Sequence, residues 1–343
     1  GGIPEPVMDL KRRVAGHAII GPQILAAGPI LETERTVRRL GEILPESELG
    51  GRIAVADGRS ADKAVHDAAA TGADFIKFRT VASRDVYMAI IAAANERKLS
   101  LVGHAPPPAI SLEDAAIAGQ RSIEHYITGP GIKVLPDDLT GAFEVFRDRN
   151  THFVPTLVSA IGFRLTSNDR MAAVIADEQG ELDPRRRFVP KALAQAWQGQ
   201  LELKQTERAR IDYEKMHADN VALFRQMHEA GVKLMPGTDL GAPLVYPGFS
   251  LHDELEQFVE QVGMTPIEAI QSATAVSAAF TETRNQFGTI APGKSADFFL
   301  TTANPIEDIR ALSQIEAVTT GGRYHSRGEL DARLRSAMDS ISS

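Results

Sequence analysis

Lys77, His104, His125 and Asp239 are the residues whose types and spacing point to chemistry. Each falls at or near the last position of a separate short apolar run that reads as a strand. Imidazole nitrogen and carboxylate oxygen are the usual protein ligands of zinc, and a catalytic site keeps one position open for water. Two histidines and an aspartate from three strands therefore suffice for a catalytic divalent metal. Taken singly, each histidine is more often a structural residue, of middling burial; the shared placement sets these apart. His17, His66, His152, His217 and His228 carry no such pattern, His252 opens a helix close in sequence to Asp239, and His325 lies in the tail.

Lys77 has two readings. It sits inside Phe75-Ile76-Lys77-Phe78, where a buried ammonium is costly. Burial favours the neutral amine, which reacts with carbon dioxide to give a carbamate, an oxygen donor. Alternatively the side chain snorkels or pairs with a carboxylate. Spacing alone favours the second.

The elements that must position these residues alternate along the chain. Short apolar runs occur at Ile24–Gly28, Asp74–Arg79, Leu99–His104, Arg121–His125, His152–Leu157 and Val232–Asp239. Amphipathic stretches such as Ser83–Lys98 and Ser111–Gly119 lie between them. Strands separated by helices imply right-handed parallel crossovers and an α/β fold, whose active-site face is formed by the C-terminal strand ends. Ser111 with Asp114, and Thr265-Pro266 with Glu268, read as helix N-caps, and Gly72, Gly119 and Gly231 as left-handed helix ends. A charged helical insertion is expected over about 164–230, with Trp197 as a packing residue. In the tail, Ala296–Thr302 and Ile315–His325 read as strands, followed by a helix over Leu330–Met338.

Composition narrows the field. The 343 residues are 43% hydrophobic and 24% charged, ordinary values for a globular protein with a sizeable core. With no cysteine there is no disulfide, thiolate metal site or cysteine nucleophile. A formal charge of -8 argues against nucleic acid, and no apolar run reaches the length of a membrane span. The expected partner is a small-molecule substrate; a homo-oligomer is left open. The chain starts at Gly1-Gly2 without a Met, so the compartment is not readable: a soluble, cytoplasmic protein is the default, and a leader could precede the first residue.

Gly103-His104-Ala105, Ser122-Ile123-Glu124-His125, Pro236-Gly237-Thr238-Asp239 and the tail segment Gly288–Asp297 together resemble the amidohydrolase superfamily, in its imidazolonepropionase-like and Xaa-Pro dipeptidase-like branch. The resemblance runs over nearly the whole chain in the family's order. It implies a metal-dependent (β/α)8 TIM-type barrel with a small β-sandwich satellite. It divides the chain into a barrel over 1–285, part of the sandwich over 286–330 and a peripheral helix and tail over 331–343. It implies one or two divalent cations, zinc first, with His104 and His125 as ligands of one metal. Lys77 becomes a bridging ligand through carbon dioxide, as N6-carboxylysine, and Asp239 a ligand and proton shuttle. In that context the carbamate reading of Lys77 replaces the ion pair. The implied activity is hydrolysis of amide or peptide bonds in small dipeptides or N-acyl amino acids.

The sequence departs from the family in one respect: it contains no His-x-His, the pair that the first barrel strand supplies to the other metal. Ile24–Gly28 would then be the family's third strand, with about strands three to eight present. The simpler account is a C-terminal portion of a longer protein, since six strands cannot close an eight-stranded barrel. The other is a relative that has lost one metal site, and in its extreme form a metal-poor, non-catalytic binding or assembly module.

Three further residues are candidates for substrate contact. Arg79 shares strand parity with Lys77, so its guanidinium would either clamp a substrate carboxylate or pair with an acidic residue at the rim. Tyr126 follows His125, and Tyr246 lies in the loop after Asp239. One motif is a decoy. Gly288–Ser295 fits the phosphate-loop pattern, but it follows a helix and precedes a strand, the reverse of what phosphate binding requires. Pro292 also removes a donor from it.

Overall fold

The computed structural model describes residues 4–42, 50–107, 109–129, 139–206 and 211–342. It divides into two compact units, Gly1–Phe153 with Ala230–Val232 and Val154–Glu229 with Lys233–Ser343.

The α/β class is as expected. Six strands form one sheet: β1 (Ile30–Glu32), β2 (Arg52–Ala54), β3 (Phe75–Phe78), β4 (Ser100–Gly103), β5 (Gln120–Glu124) and β6 (His152–Val154). Their order is β2-β1-β3-β4-β5-β6, and the pairs from β2 to β5 are parallel. Among the described residues the sheet does not close into a barrel. Helices over Gly58–Ala70 and Arg84–Glu96 cover one face of it.

Alternation divides that sheet chemically. Leu31, Ile53, Ile76, Phe78 and Leu101 share one face through the register Leu31↔Ile53, Leu31↔Phe78 and Ile76↔Leu101. They join the helices' Val65, Tyr87 and Ile90 in one core. The opposite parity carries Glu32, Arg52, Lys77, Arg79, His104, Ser122 and Glu124. A parallel sheet covered on both faces reads as continuous apolar runs. Here these polar groups share the second face with Ile30, Phe75 and Val102.

Two expected strands are corrected. Ile24–Gly28 is extended but forms no strand. Its backbone is tied to Asp74 instead: Ala26 N–H donates to the Asp74 carboxylate at 2.7 Å, and Asp74 N–H donates to the Ala26 carbonyl at 2.8 Å. Pro29 then interrupts it, and the ladder begins at Ile30. Val232–Asp239 forms only an isolated bridge at Leu234, because Pro236 lacks an N–H and the chain turns at Asp239, φ 52°. Strand β2 was not foreseen.

The caps behave as expected. Ser111 accepts from Asp114 N–H, Thr265 and Glu268 form a reciprocal capping box, and Gly72, Gly119 and Gly231 all take positive φ. In the second unit, helices over Asn168–Ala176, Lys191–Thr206 and Tyr213–Glu229 make up the insertion, and Trp197 is fully buried there. The tail is a three-stranded antiparallel sheet of β7 (Phe298–Thr301), β8 (Ile315–Thr320) and β9 (Arg323–Ser326), followed by a helix over Arg327–Ser342. The phosphate-loop decoy is a closed turn: Lys294 Nζ donates to the carbonyls of Arg284 and Phe287 and to Thr289 Oγ1. Among the described residues no helix is long and apolar enough to cross a membrane.

Candidate active site

In the first unit, Lys77, His104 and His125 come from neighbouring strands β3, β4 and β5. Their placement depends on Gly103, the residue before His104. A Cβ at Gly103 would stand 2.2 Å from the Phe78 carbonyl oxygen, and φ is +152°. Only glycine lets β4 approach β3 so closely. The chain then leaves β5 through His125 in the left-handed region, φ 67°, a strained conformation of the kind that clusters at functional sites. The two imidazole rings consequently meet edge to face, with centroids 4.6 Å apart and planes at 72°.

The electrostatics keep His104 neutral. Burial, followed by the nearby His125, Lys77, Arg79 and Arg52, holds its pKa well below the ordinary imidazole value. A neutral imidazole is the form that ligates metal. Lys77 Nζ donates to Glu124 Oε2 at 2.5 Å, and both side chains are largely covered. Unmodified Lys77 is thus ion-paired, the reading that its spacing favoured.

Arg79 also pairs. Its Nε lies 2.9 Å from Oε1 of Glu32, a carboxylate with no solvent exposure that Arg52 contacts as well. Glu32, Arg52 and Glu124 have the same parity as Lys77. They received no role from sequence; the parity rule applied to correct strand boundaries would have exposed them.

Asp239 belongs to the second unit. It is exposed, and Ser159 Oγ donates to its Oδ2 at 3.3 Å. Gly237 sets the entry to this turn, since a Cβ there would stand 2.4 Å from Val154 Cγ1. Tyr246 is buried rather than at a rim. Its ring meets Trp197 edge to face with centroids 5.6 Å apart and lies under the Arg185 guanidinium at 4.3 Å. Burial and a hydrogen bond with Asp183 raise its pKa. This packing excludes Tyr246 as an open substrate contact. Tyr126 is half-buried beside His125. Glu254 is wholly buried, and its carboxylate accepts from the backbone N–H groups of Leu157 at 3.0 Å and Val158 at 2.9 Å.

The donor set meets the implied metal in part. Among the described residues no three His, Asp or Glu side chains assemble into a complete shell. Two adjacent imidazoles, one of them held neutral, do fit as two nitrogen ligands of one cation. Lys77 is the third group on the same face, and it becomes an oxygen donor only once carboxylated.

The profile of the amidohydrolase family matches residues 2–324. The chain belongs to the amidohydrolase family. Members of this family generally use divalent metals. The chain is 37% identical over 92 residues to ochratoxinase of Aspergillus niger; that stretch is 26% of this chain and spans only 18% of that protein. Among solved structures it is similar to a Xaa-Pro dipeptidase with methionine bound in its active site, at 22% identity and a TM-score of 0.66, over 93% of this chain and 72% of that one. It is also similar to bottromycin amidohydrolase, at 20% identity and a TM-score of 0.71, over 98% and 72% of the respective chains. At these identities the shared property is the fold, the TIM-barrel-like α/β architecture of amidohydrolases.

Proposed function

We propose that this amidohydrolase cleaves carbon–nitrogen bonds of amides or peptides, in small dipeptides or N-acyl amino acids, with the help of a divalent metal. The observation that carries the reading is the His104–His125 pair: two imidazoles on adjacent parallel strands, rings 4.6 Å apart, with His104 kept neutral. The named relatives, a dipeptidase, a bottromycin amidohydrolase and an ochratoxinase, are all compatible with amide chemistry.

In this reading His104 and His125 hold the cation, zinc first, with Lys77 joining them as its carbamate and Asp239 as the further ligand given by the family resemblance. A bound divalent cation supplies Lewis acidity toward the amide carbonyl and makes water a stronger nucleophile near neutral pH. The remaining work belongs to side chains. Asp239 accepts the proton of the attacking water and delivers it to the leaving nitrogen, because an amine leaves far more readily once protonated. Tyr126, beside His125, is assigned to the substrate carbonyl.

Two measurements on chelator-free protein test the proposal: metal content by elemental analysis, and hydrolysis of a panel of dipeptides and N-acetyl amino acids. Bound metal with turnover that a chelator abolishes is the expected result. Folded protein that neither retains zinc nor cleaves any member of the panel after zinc is added would overturn it.

A further inference from the structure

On the polar face of the first unit, two guanidinium groups converge on one buried carboxylate. Glu32, the last residue of β1, has no solvent exposure. Arg52 from β2 donates to its Oε1, and Nε of Arg79, just past β3, lies 2.9 Å from the same oxygen. Thr80 Oγ1 stands 3.0 Å from the other carboxylate oxygen and 3.0 Å from Thr36 Oγ1, and it accepts from Thr33 N–H at 3.0 Å. The carboxylate is therefore locked from both sides.

Charge and donor counts do not balance there. One carboxylate neutralises one guanidinium, so two arginines leave a single positive charge. Each guanidinium has five N–H donors in a rigid fork, and Glu32 engages one nitrogen of each. Among the described residues Nε of Arg52 is buried with no hydrogen-bond acceptor, and Nε of Arg79 makes its ion-pair contact without the alignment of a hydrogen bond. Neither side chain is sealed off, since Arg52 is 18% and Arg79 29% exposed. Arg52 and Arg79 share the strand parity of Lys77 and His104, so the surplus lies on the face of the sheet that carries them.

We propose that Arg52 and Arg79, held at fixed spacing by Glu32, form the subsite for a free carboxylate on the substrate. This rests on the amide-hydrolase reading and deepens it by assigning residues: the carboxylate that dipeptides and N-acyl amino acids carry beside the scissile bond is held by this pair. A monoanion matches the single surplus charge, whereas a phosphate dianion exceeds it. Planar carboxylate oxygens also suit paired guanidinium forks. Arg52 becomes a specificity residue in this arrangement, and Arg79 serves the substrate and Glu32 at once.

The test compares N-acetyl-L-phenylalanine with its carboxamide by calorimetric titration of the folded, zinc-supplemented chain, with hydrolysis followed separately. The acid should bind at least about tenfold more tightly than the amide, the size of effect expected for charge-assisted hydrogen bonds. Arg52→Met and Arg79→Met should each bring the acid-to-amide ratio close to one, with circular dichroism confirming that the variants fold. Equal binding of acid and amide to the unaltered chain, absence of acid binding, or variants that weaken both ligands alike would each overturn the subsite. Hydrolysis without acid preference sinks the subsite alone. Acid preference without hydrolysis of any amide sinks the hydrolase reading and leaves the anion subsite standing.

Discussion

Lys77 Nζ and Glu124 Oε2 lie 2.5 Å apart although their strands, β3 and β5, are separated by β4. The contact stabilises an ammonium. A carbamate on the same nitrogen would place two anions side by side, a repulsion that a bound cation offsets. Carboxylation and metal uptake should therefore occur together. Bicarbonate with zinc is expected to raise the bound metal and to add the mass of one carbon dioxide in native mass spectrometry, while bicarbonate alone leaves the mass unaltered. Lys77→Ala should remove the bicarbonate dependence. Zinc binding to the unaltered chain that is indifferent to bicarbonate would rule the carbamate out.

Asp239 separates binding from turnover. Asp239→Asn keeps an oxygen donor but cannot accept a proton, so kcat should drop by roughly 100-fold or more. Metal content should fall much less. Near-normal turnover in this variant would remove Asp239 from the proton path.

Glu254 gives the second unit a pH-dependent stability. Burial pushes its carboxyl up to about 8, against the backbone N–H groups of Val158, Leu157 and Thr156, which favour the charged form. In the unfolded chain the group ionises near its ordinary value of 4.5. Between those two values the folded chain keeps a proton that the unfolded chain has lost. This contribution is thus fully present below the unfolded value and declines as pH rises toward about 8, by at most about 1.4 kcal/mol per pH unit. Urea midpoints of the unaltered chain should fall over this window. Glu254→Gln should flatten that slope at a loss of about 1 kcal/mol, because Leu157 and Val158 donate to different carboxylate oxygens and the amide NH2 that replaces one of them cannot accept. A slope unchanged by the substitution would assign the pH dependence to other groups.

Gly103→Ala should be among the most damaging small substitutions. The added methyl has no room against the Phe78 carbonyl, and φ of +152° strains any L side chain. A loss of about 1–3 kcal/mol is expected in urea unfolding, together with weaker zinc binding as His104 is displaced. Gly199→Ala, where a Cβ meets nothing within 4 Å, is the control. Equal stability of the two variants would mean that β4 does not depend on that close approach.

Sequence reading placed the polar residues at the strand ends better than it placed the sheet around them. Strands β3, β4 and β5 announce themselves as apolar runs with a polar residue at the end, so Lys77, His104 and His125 were found as strand-end groups. The parity of Arg79 with Lys77 was legible for the same reason. Ile24–Gly28 misled because its apolar residues pack without a ladder, the edge being tied by Asp74 and stopped by Pro29. Strand β2 was missed because Arg52-Ile53-Ala54 is three residues long and opens on a charge. With β1 and β2 misplaced, Glu32 and Arg52 had no face to share. Their pairing depends on long-range register, which local periodicity does not contain.

The two-faced sheet makes this protein unusually sensitive to a change in count rather than in kind. Deleting one residue from the turn before Phe75 leaves every side chain chemically intact. If β3 took up the slack by sliding one step along β1 and β4, Ile76 and Phe78 would turn onto the polar face, and Lys77 and Arg79 would be driven among the helices. Point substitutions on either face are graded injuries by comparison. Homologous chains should therefore vary freely in the length of their surface loops while the residue count from Phe75 to Arg79, and from Ser100 to His104, stays constant.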